Sequence, residues 1–256
     1  MKVLPLILLC ATLTASAQTE VHDMDKNAHP HFDVATIKPT RPDDQSSGFH
    51  TMGERIWIEN QTMATIFAFA YGIHKAQIVN APDWFGSDHF DIRGTPDIKG
   101  QPNLQQQREM VAALLEERIG LKLHRDKHEM SRFVLQAPHG AGKLKPSAHA
   151  SQNLPDQTGN NDGGKQDWGF TNNTMKDFAD FLQYVVDRPV VNETGLPGSF
   201  DFRLKWANDD APANADNGNL PGLLTAIGEQ LGLSFKSSRG PTEVLVIDHV
   251  ERPSDN

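Results

Sequence analysis

The tetrapeptide Asn60-Gln61-Thr62-Met63 returns 112 residues later as Asn172-Asn173-Thr174-Met175, and the same offset recurs along the chain. Ile78-Val79-Asn80 stands over Val190-Val191-Asn192, and Phe133-Val134-Leu135 over Leu245-Val246-Ile247. Glu117-Arg118-Ile119-Gly120-Leu121 stands over Glu229-Gln230-Leu231-Gly232-Leu233. FDIR at 90–93 and FDFR at 200–203 are offset by 110, so the turn before the second is two residues shorter. Coincident offsets at matched apolar and turn positions are the mark of a tandem copy. The expectation is therefore one fold built twice.

Local chemistry gives the unit its elements. Thr62 and Thr174 are suited to cap helices, and Asp177 follows Thr174 by three residues, as in a capping box. Behind the caps, Met63, Ile66, Phe67 and Ala70 keep helical spacing, as do Met175, Phe178, Leu182 and Val185. A second helix shows the stripe Val111, Leu114, Leu115 and Ile119 in one copy and Leu223, Leu224, Ile227 and Leu231 in the other. Gly120 and Gly232 stand where a helix closes in the left-handed conformation. Two strands follow in each copy, LKLHR with RFVLQA and LSFKS with EVLVID. A helix with one apolar stripe needs a sheet to cover it. The predicted class is α+β: a tandem duplication of a two-layer βαββαββ unit, with helices packed on a mainly antiparallel sheet.

The flanking segments set the boundaries. Residues 1–17, MKVLPLILLCATLTASA, have a basic start, a short apolar run and small residues before a cut after Ala17, the build of a signal peptide. The apolar run is too short for a membrane span of roughly 20 residues. The rival, lipidation at Cys10, sits poorly with the bulky Leu9 before it. Residues 18–31 are polar and aperiodic and read as a flexible lead-in, with His22, His29 and His31 as solvated histidines. The first repeat is placed at 32–141, starting with the strand FDVATIK, and the second at 168–256. Between them, 142–167 is rich in Gly, Pro, Asn and Ser and reads as a linker, and 207–219 as a flexible loop.

Composition excludes some chemistries. Cys10 is the single cysteine, so a chain cut after Ala17 carries no disulfide, catalytic thiol or thiolate ligand. With 24 basic and 33 acidic side chains, a net charge of −9 and no basic cluster, the chain is ill suited to nucleic acid. The mature chain is expected to have no transmembrane segment and to be exported, periplasmic or extracellular.

Few residue groups suggest a site. LKLHRDKHE at 121–129 brings His124, His128 and Glu129 close in sequence, the makings of a metal centre. The aligned positions of the second copy are Lys236, Gly240 and Pro241, which hold no ligand, and no HExxH order is present. An exposed hairpin edge, with His124 facing outward and His128 and Glu129 at its turn, is the expected account. No metal or other cofactor is expected. Asp91 with Arg93, and Asp201 with Arg203, share a strand face opposite Phe90 and Ile92 or Phe200 and Phe202. They are candidate binding residues, against the plainer reading of cross-strand charge pairs. Trp84, beside Phe85 after Pro82, is a candidate interface aromatic against the plainer reading of burial on the sheet. PHGAGKLK at 138–145 lacks the first glycine and the Ser/Thr of a phosphate loop. The Asn-x-Thr sequons at Asn60 and Asn172 are accounted for by helix capping, and no G-x-S-x-G elbow occurs.

The ordered set FDVATIKP, NQTMATIFAFAYGI, QIVNAPDWF, FDIRG, LLEERIGLKLHRDKHEMSRFVL, NNTMKDFADFL, RPVVNETGLPGSFDF and VLVIDHVERPSDN resembles a family of uncharacterised exported proteins associated with soil acidobacteria. The resemblance covers about residues 32 to 256. It implies a domain of unknown function, also found fused to membrane metallopeptidases of the antibiotic-sensor type, and carries over no ligand or catalytic residue. The leading expectation is a non-enzymatic binding or interaction module whose partner is an unknown protein or small-molecule ligand. The alternatives are a secreted hydrolase, working through His124, His128 and Glu129 or through Asp248 and His249, and a purely structural envelope protein.

Overall fold

A computed structural model describes residues 22–148, 155–208 and 219–253. The segment 1–17 and most of the loop 207–219 lie outside the described residues. Along the first half run β1 (Phe32–Pro39), β2 (Gly48–Met52), β3 (Arg55–Thr62), α1 (Met63–Tyr71), β4 (Ile78–Val79), α2 (Trp84–Ser87), β5 (His89–Pro96), α3 (Leu104–Arg118) and β6 (Lys122–Gln136). The second half runs β7 (Pro138–Ala141), β8 (Lys145–Pro146), β9 (Asp156–Asp162), β10 (Lys165–Thr174), α4 (Met175–Val185), β11 (Val190–Asn192), β12 (Ser199–Ala207), α5 (Leu223–Ala226) and β13 (Ser234–His249). A single π-type turn, Ile227–Leu231, continues α5. The class is α+β.

Capping chemistry starts the helices where the sequence places them. Thr62 Oγ1 accepts the N–H of Thr65 at 3.2 Å, and Thr174 with Asp177 forms a reciprocal capping box. α3 is capped in the same way by Asn103 and Gln106. Gly120 (φ 58°) and Gly232 (φ 73°) end the second helix of each half in the left-handed region.

Three four-stranded sheets result. Their orders are β1-β5-β3-β2, β8-β12-β10-β9 and β11-β6-β13-β4. The first two are antiparallel throughout and carry the helices of their own half. The third is made from both halves. β6 and β13 pair antiparallel from Ser234↔Gln136 to Ile247↔Leu123. From Phe235↔Leu135 to Ile247↔Leu123 every pair maps onto another when 112 is added to one partner and subtracted from the other, with Glu129↔Pro241 as the fixed point. The mate of Ser234↔Gln136 is displaced by a bulge to His249↔Lys122. At the flanks, β4 lies parallel to β13 (Ile78↔Leu245) and β11 parallel to β6 (Val190↔Phe133).

The two cores follow from this exchange. Leu245 and Ile247, from the end of the chain, pack with Ile66, Phe67, Phe90 and Leu115. Phe133 and Leu135 pack with Phe178, Phe200, Trp206 and Leu231. Each such side chain, removed from water, contributes about 1.5–3 kcal/mol, so each core depends on a strand from the other half.

Some expectations are corrected. Each expected pair of final strands is one strand, of 15 residues in β6 and 16 in β13. His128 and Glu129 are therefore mid-strand and not at a turn. The middle of this ladder crosses solvent between the cores, so its residues are polar and imitate a loop. Pro241, which has no N–H to donate, is tolerated because among the described residues no strand flanks that stretch of β13 on its other side; its carbonyl accepts Arg132 Nη1 at 2.7 Å. Residues 22–31 are docked, contrary to the expected flexibility. Met24 is 2 % exposed and donates its N–H to the Gln101 carbonyl at 2.9 Å, and the Gln101 N–H donates to the His22 carbonyl at 2.8 Å. Gln106 Nε2 donates to the carbonyls of Asp25 and Ala28 at 2.7 and 3.1 Å. Gly100 permits this approach, since a Cβ there would stand 2.7 Å from the Met24 Cα. The stretch 142–167 carries β8, β9 and the start of β10. Its Asn, Asp and Gly content suits β9, an almost fully exposed edge strand.

Candidate functional site

The FDxR aspartates are placed at two backbone irregularities. The ladder of β3 with β5 slips between Ile58 and Gln61, and that of β10 with β12 slips between Phe170 and Asn173. Within the slips, Asn60 and Asn172 adopt φ 52° and 56°, a left-handed conformation that asparagine tolerates. Asp91 Oδ1 accepts the N–H of Asn60 at 2.8 Å and the hydroxyl of Thr40 at 2.7 Å. Asp201 Oδ1 accepts the N–H of Asn172 at 2.8 Å. The two aspartates belong to separate sheets, and each braces the bulge that turns a threonine into its capping position.

The other candidates are dispersed. The Arg93 guanidinium lies 5.0 Å over the Trp57 ring and 3.2 Å from Glu59. Arg203 grips Asp167 with two bonds of 2.5 and 2.8 Å, and Lys205 adds a third contact at 2.8 Å. These partners, Arg203 first, hold the Asp167 carboxyl down at about 2. Trp84 is half-buried on α2, edge-on to Phe85 and Phe90 at 5.4 and 6.0 Å. His124 Nδ1 meets Asp248 at 2.9 Å, His128 meets Asp126 at 3.3 Å, and His249 meets Glu251 at 3.4 Å. On a strand, His124 and His128 share a face about 13 Å apart at ~3.3 Å per residue, and Glu129 points to the other face. The three do not converge on one ion, and no group of three potential ligands occurs among the described residues.

The feature that does converge is apolar. Between α4, α5 and the end of the second sheet lies a groove of about 890 Å³. Its wall includes Trp168, Phe181 and Trp206, with Trp168 and Phe181 ring centroids 4.8 Å apart and Phe181 and Trp206 6.4 Å apart. Tyr184, Val185 and Leu224 stand exposed on it, and Phe49 reaches it from β2 of the first half. Gln166, buried, accepts the Trp168 indole N–H at 3.1 Å through its amide oxygen and so fixes the ring.

The groove opens because the second helices of the two halves differ. In the first half, α3 has 15 residues and packs directly against α1. In the second, α5 is four residues long before the π-type turn, and it makes no comparable contact with α4. The turn also changes the phase of the stripe: Leu223, Ala226, Ile227 and Leu231 are buried, and Leu224, expected in that row, is 45 % exposed. A single sequence stripe of leucines does not reveal that change of pitch.

Polar contacts position α4 against the first half. Arg108 on α3 meets Asp180 at 2.6 Å, with 12 % and 8 % of their side-chain surfaces exposed, and Lys176 adds a contact to Asp180 at 2.8 Å. Gln183 Nε2 donates to the carbonyl of Gly72 at 3.1 Å. At the end of α4, Asp187 is held by Arg188 through bonds of 2.8 and 2.6 Å, and the Arg188 guanidinium lies 5.0 Å over the Phe133 ring.

Residues 64–250 match the family model described as a protein of unknown function (DUF3738). No curated protein and no solved structure matches the chain. Among the described residues, no helix is long and apolar enough to cross a membrane. With most of its length covered by that model, the chain belongs to the DUF3738 family of uncharacterised domains.

Proposed function

We propose that the chain is a non-enzymatic binding module and that the aromatic groove between α4 and α5 is where it holds a small, largely apolar ligand. The observation that carries this reading is the groove itself. Its volume of about 890 Å³ is in the range of small-molecule sites, and its wall joins aromatic rings to the polar groups of Gln157, Gln166, Asp187 and Asn208. Titration with the neutral dye Nile red, followed by tryptophan quenching, tests it. Saturable binding that is abolished by Leu224→Asp is the expected result; unsaturable binding, or binding unaffected by that change, would count against it.

Two further parts of the reading have sequence support. The signal-like segment 1–17 favours export, to periplasm or exterior, and fractionation with N-terminal sequencing of the mature protein at Gln18 tests that. A soil-bacterial setting and kinship with sensor-fused domains belong to the same proposal. The fold is read as a tandem duplication whose copies exchange their last strands. Supporting this are the matched sheet orders, the bulge at Asn60 repeated at Asn172, and the β6–β13 register that maps onto itself at 112. An experimental structure in which 50–138 and 162–250 superimpose, apart from the crossing strands, is the expected outcome.

A further inference from the structure

The geometry points to an organic cation, a substituted ammonium with an apolar body, as the ligand class of this groove; the inference rests on the groove being the binding site. Two features favour positive charge, the rings of the wall and the net charge of the chain. The rings include the half-buried Trp168 and the exposed Tyr184, backed by the buried Phe181 and Trp206, and an aromatic face attracts a cation through its quadrupole. Among the described lining residues Asp187 is the one charged side chain, and it is neutralised by Arg188, which lies over the Phe133 ring of the same wall, so the described wall opposes neither sign of charge. The chain as a whole carries −9, which raises the local concentration of cations.

The chain already shows the interaction on one of the groove's own rings. Arg188 lies over Phe133 at 5.0 Å, so that face accepts a guanidinium. Arg188 is not available to an anionic ligand. Its Nε and Nη2 are given to Asp187, and its Nη1 reaches Ser131 and Ser237 at 3.2 and 3.4 Å. The Asp187–Arg188 pair is neutral as a unit, which leaves the remaining rings to discriminate between ligands: the half-buried Trp168, packed on Phe181, and the exposed Tyr184, whose hydroxyl bonds Arg108.

Three isosteric probes test the inference on the full mature chain: choline, its neutral analogue 3,3-dimethylbutan-1-ol, and the anion 3,3-dimethylbutanoate. Each is titrated by displacement of Nile red and by tryptophan fluorescence. Choline is expected to bind roughly tenfold more tightly than the alcohol, within the range of cation–π energies, and the anion most weakly. Tyr184→Leu should reduce the choline preference and Tyr184→Phe retain it, with a thermal melt confirming that both fold; Trp168→Leu gives a second reading at an independent ring. Equal or tighter binding of the alcohol, or no binding of choline while Nile red still binds, would overturn the cation inference and leave the groove reading standing. Failure of Nile red and all three probes would overturn both.

Discussion

Asp91 receives the backbone N–H of Asn60 at 2.8 Å, and this contact ties the end of a strand ladder to the start of a helix. The aspartate of FDxR has the same structural contact in both halves, since Asp201 and Asn172 repeat it in the second. Replacing Asp91 with alanine leaves the Asn60 N–H and the Thr40 hydroxyl without their acceptor. The expected loss is about 1–3 kcal/mol, with Asp91→Asn costing less because its amide oxygen still accepts. Urea denaturation measures it. A variant with an unchanged midpoint and weakened Nile red binding would instead assign Asp91 to a ligand site.

The Arg108–Asp180 pair sits between the halves and is largely removed from water. Asp180→Ala leaves Arg108 charged and without its carboxylate, at an expected cost of about 3–5 kcal/mol. Arg108→Met is milder, because Lys176 still reaches Asp180. The double change Arg108→Met/Asp180→Leu should recover most of the loss, as apolar replacements of buried pairs do. Equilibrium unfolding of the three variants checks the order.

Acid should weaken the protein in two separate windows. Burial, the largest effect on His74, pushes its pKa below the ordinary 6.5, so the unfolded chain takes up this proton first. That contribution is complete above pH 6.5 and is lost as pH falls from there toward the lower folded value. Asp167, held at about 2, contributes stability above its unfolded value of about 4, and this is lost between about pH 4 and 2. His74→Gln should flatten the first decline and Asp167→Asn the second, in melting temperature recorded against pH. Declines unchanged in both variants would reassign the titrating groups.

The histidines of β6 are expected to be inert toward zinc. His124 is about half exposed and pairs with Asp248, and exposed pairs of this kind add little. Added zinc should not raise the melting temperature, and His124→Ala should melt with the parent. A zinc-dependent rise abolished by His124→Ala would restore the metal reading.

What could be read from the sequence was local. Thr62, Thr174 and Asp177 declare their caps through side-chain chemistry, and Gly120 and Gly232 their helix ends through φ. Burial of Phe90 and Ile92 beside the outward Arg93 follows from strand alternation. What could not be read depends on partners distant in sequence. The polar middle of β6 looks like a turn until β13 is laid beside it, and Gly240-Pro241 reinforces the error. Met24 is apolar within a polar tail, and only the contact at Gly100 shows why. The groove was hidden for the same reason: Leu224 keeps the helical stripe in sequence, while the π-type turn after Ala226 rotates it out of the core.

The four tryptophans allow the central claim, a ligand site between α4 and α5, to be tested in one titration. Trp168 and Trp206 line the groove, while Trp57 and Trp84 belong to the first half and do not. With Nile red added to isotopically labelled protein, the indole N–H resonances of Trp168 and Trp206 should shift saturably and together, while those of Trp57 and Trp84 stay in place. Shifts confined to Trp57 or Trp84, or none at any of the four while the dye binds, would contradict the account.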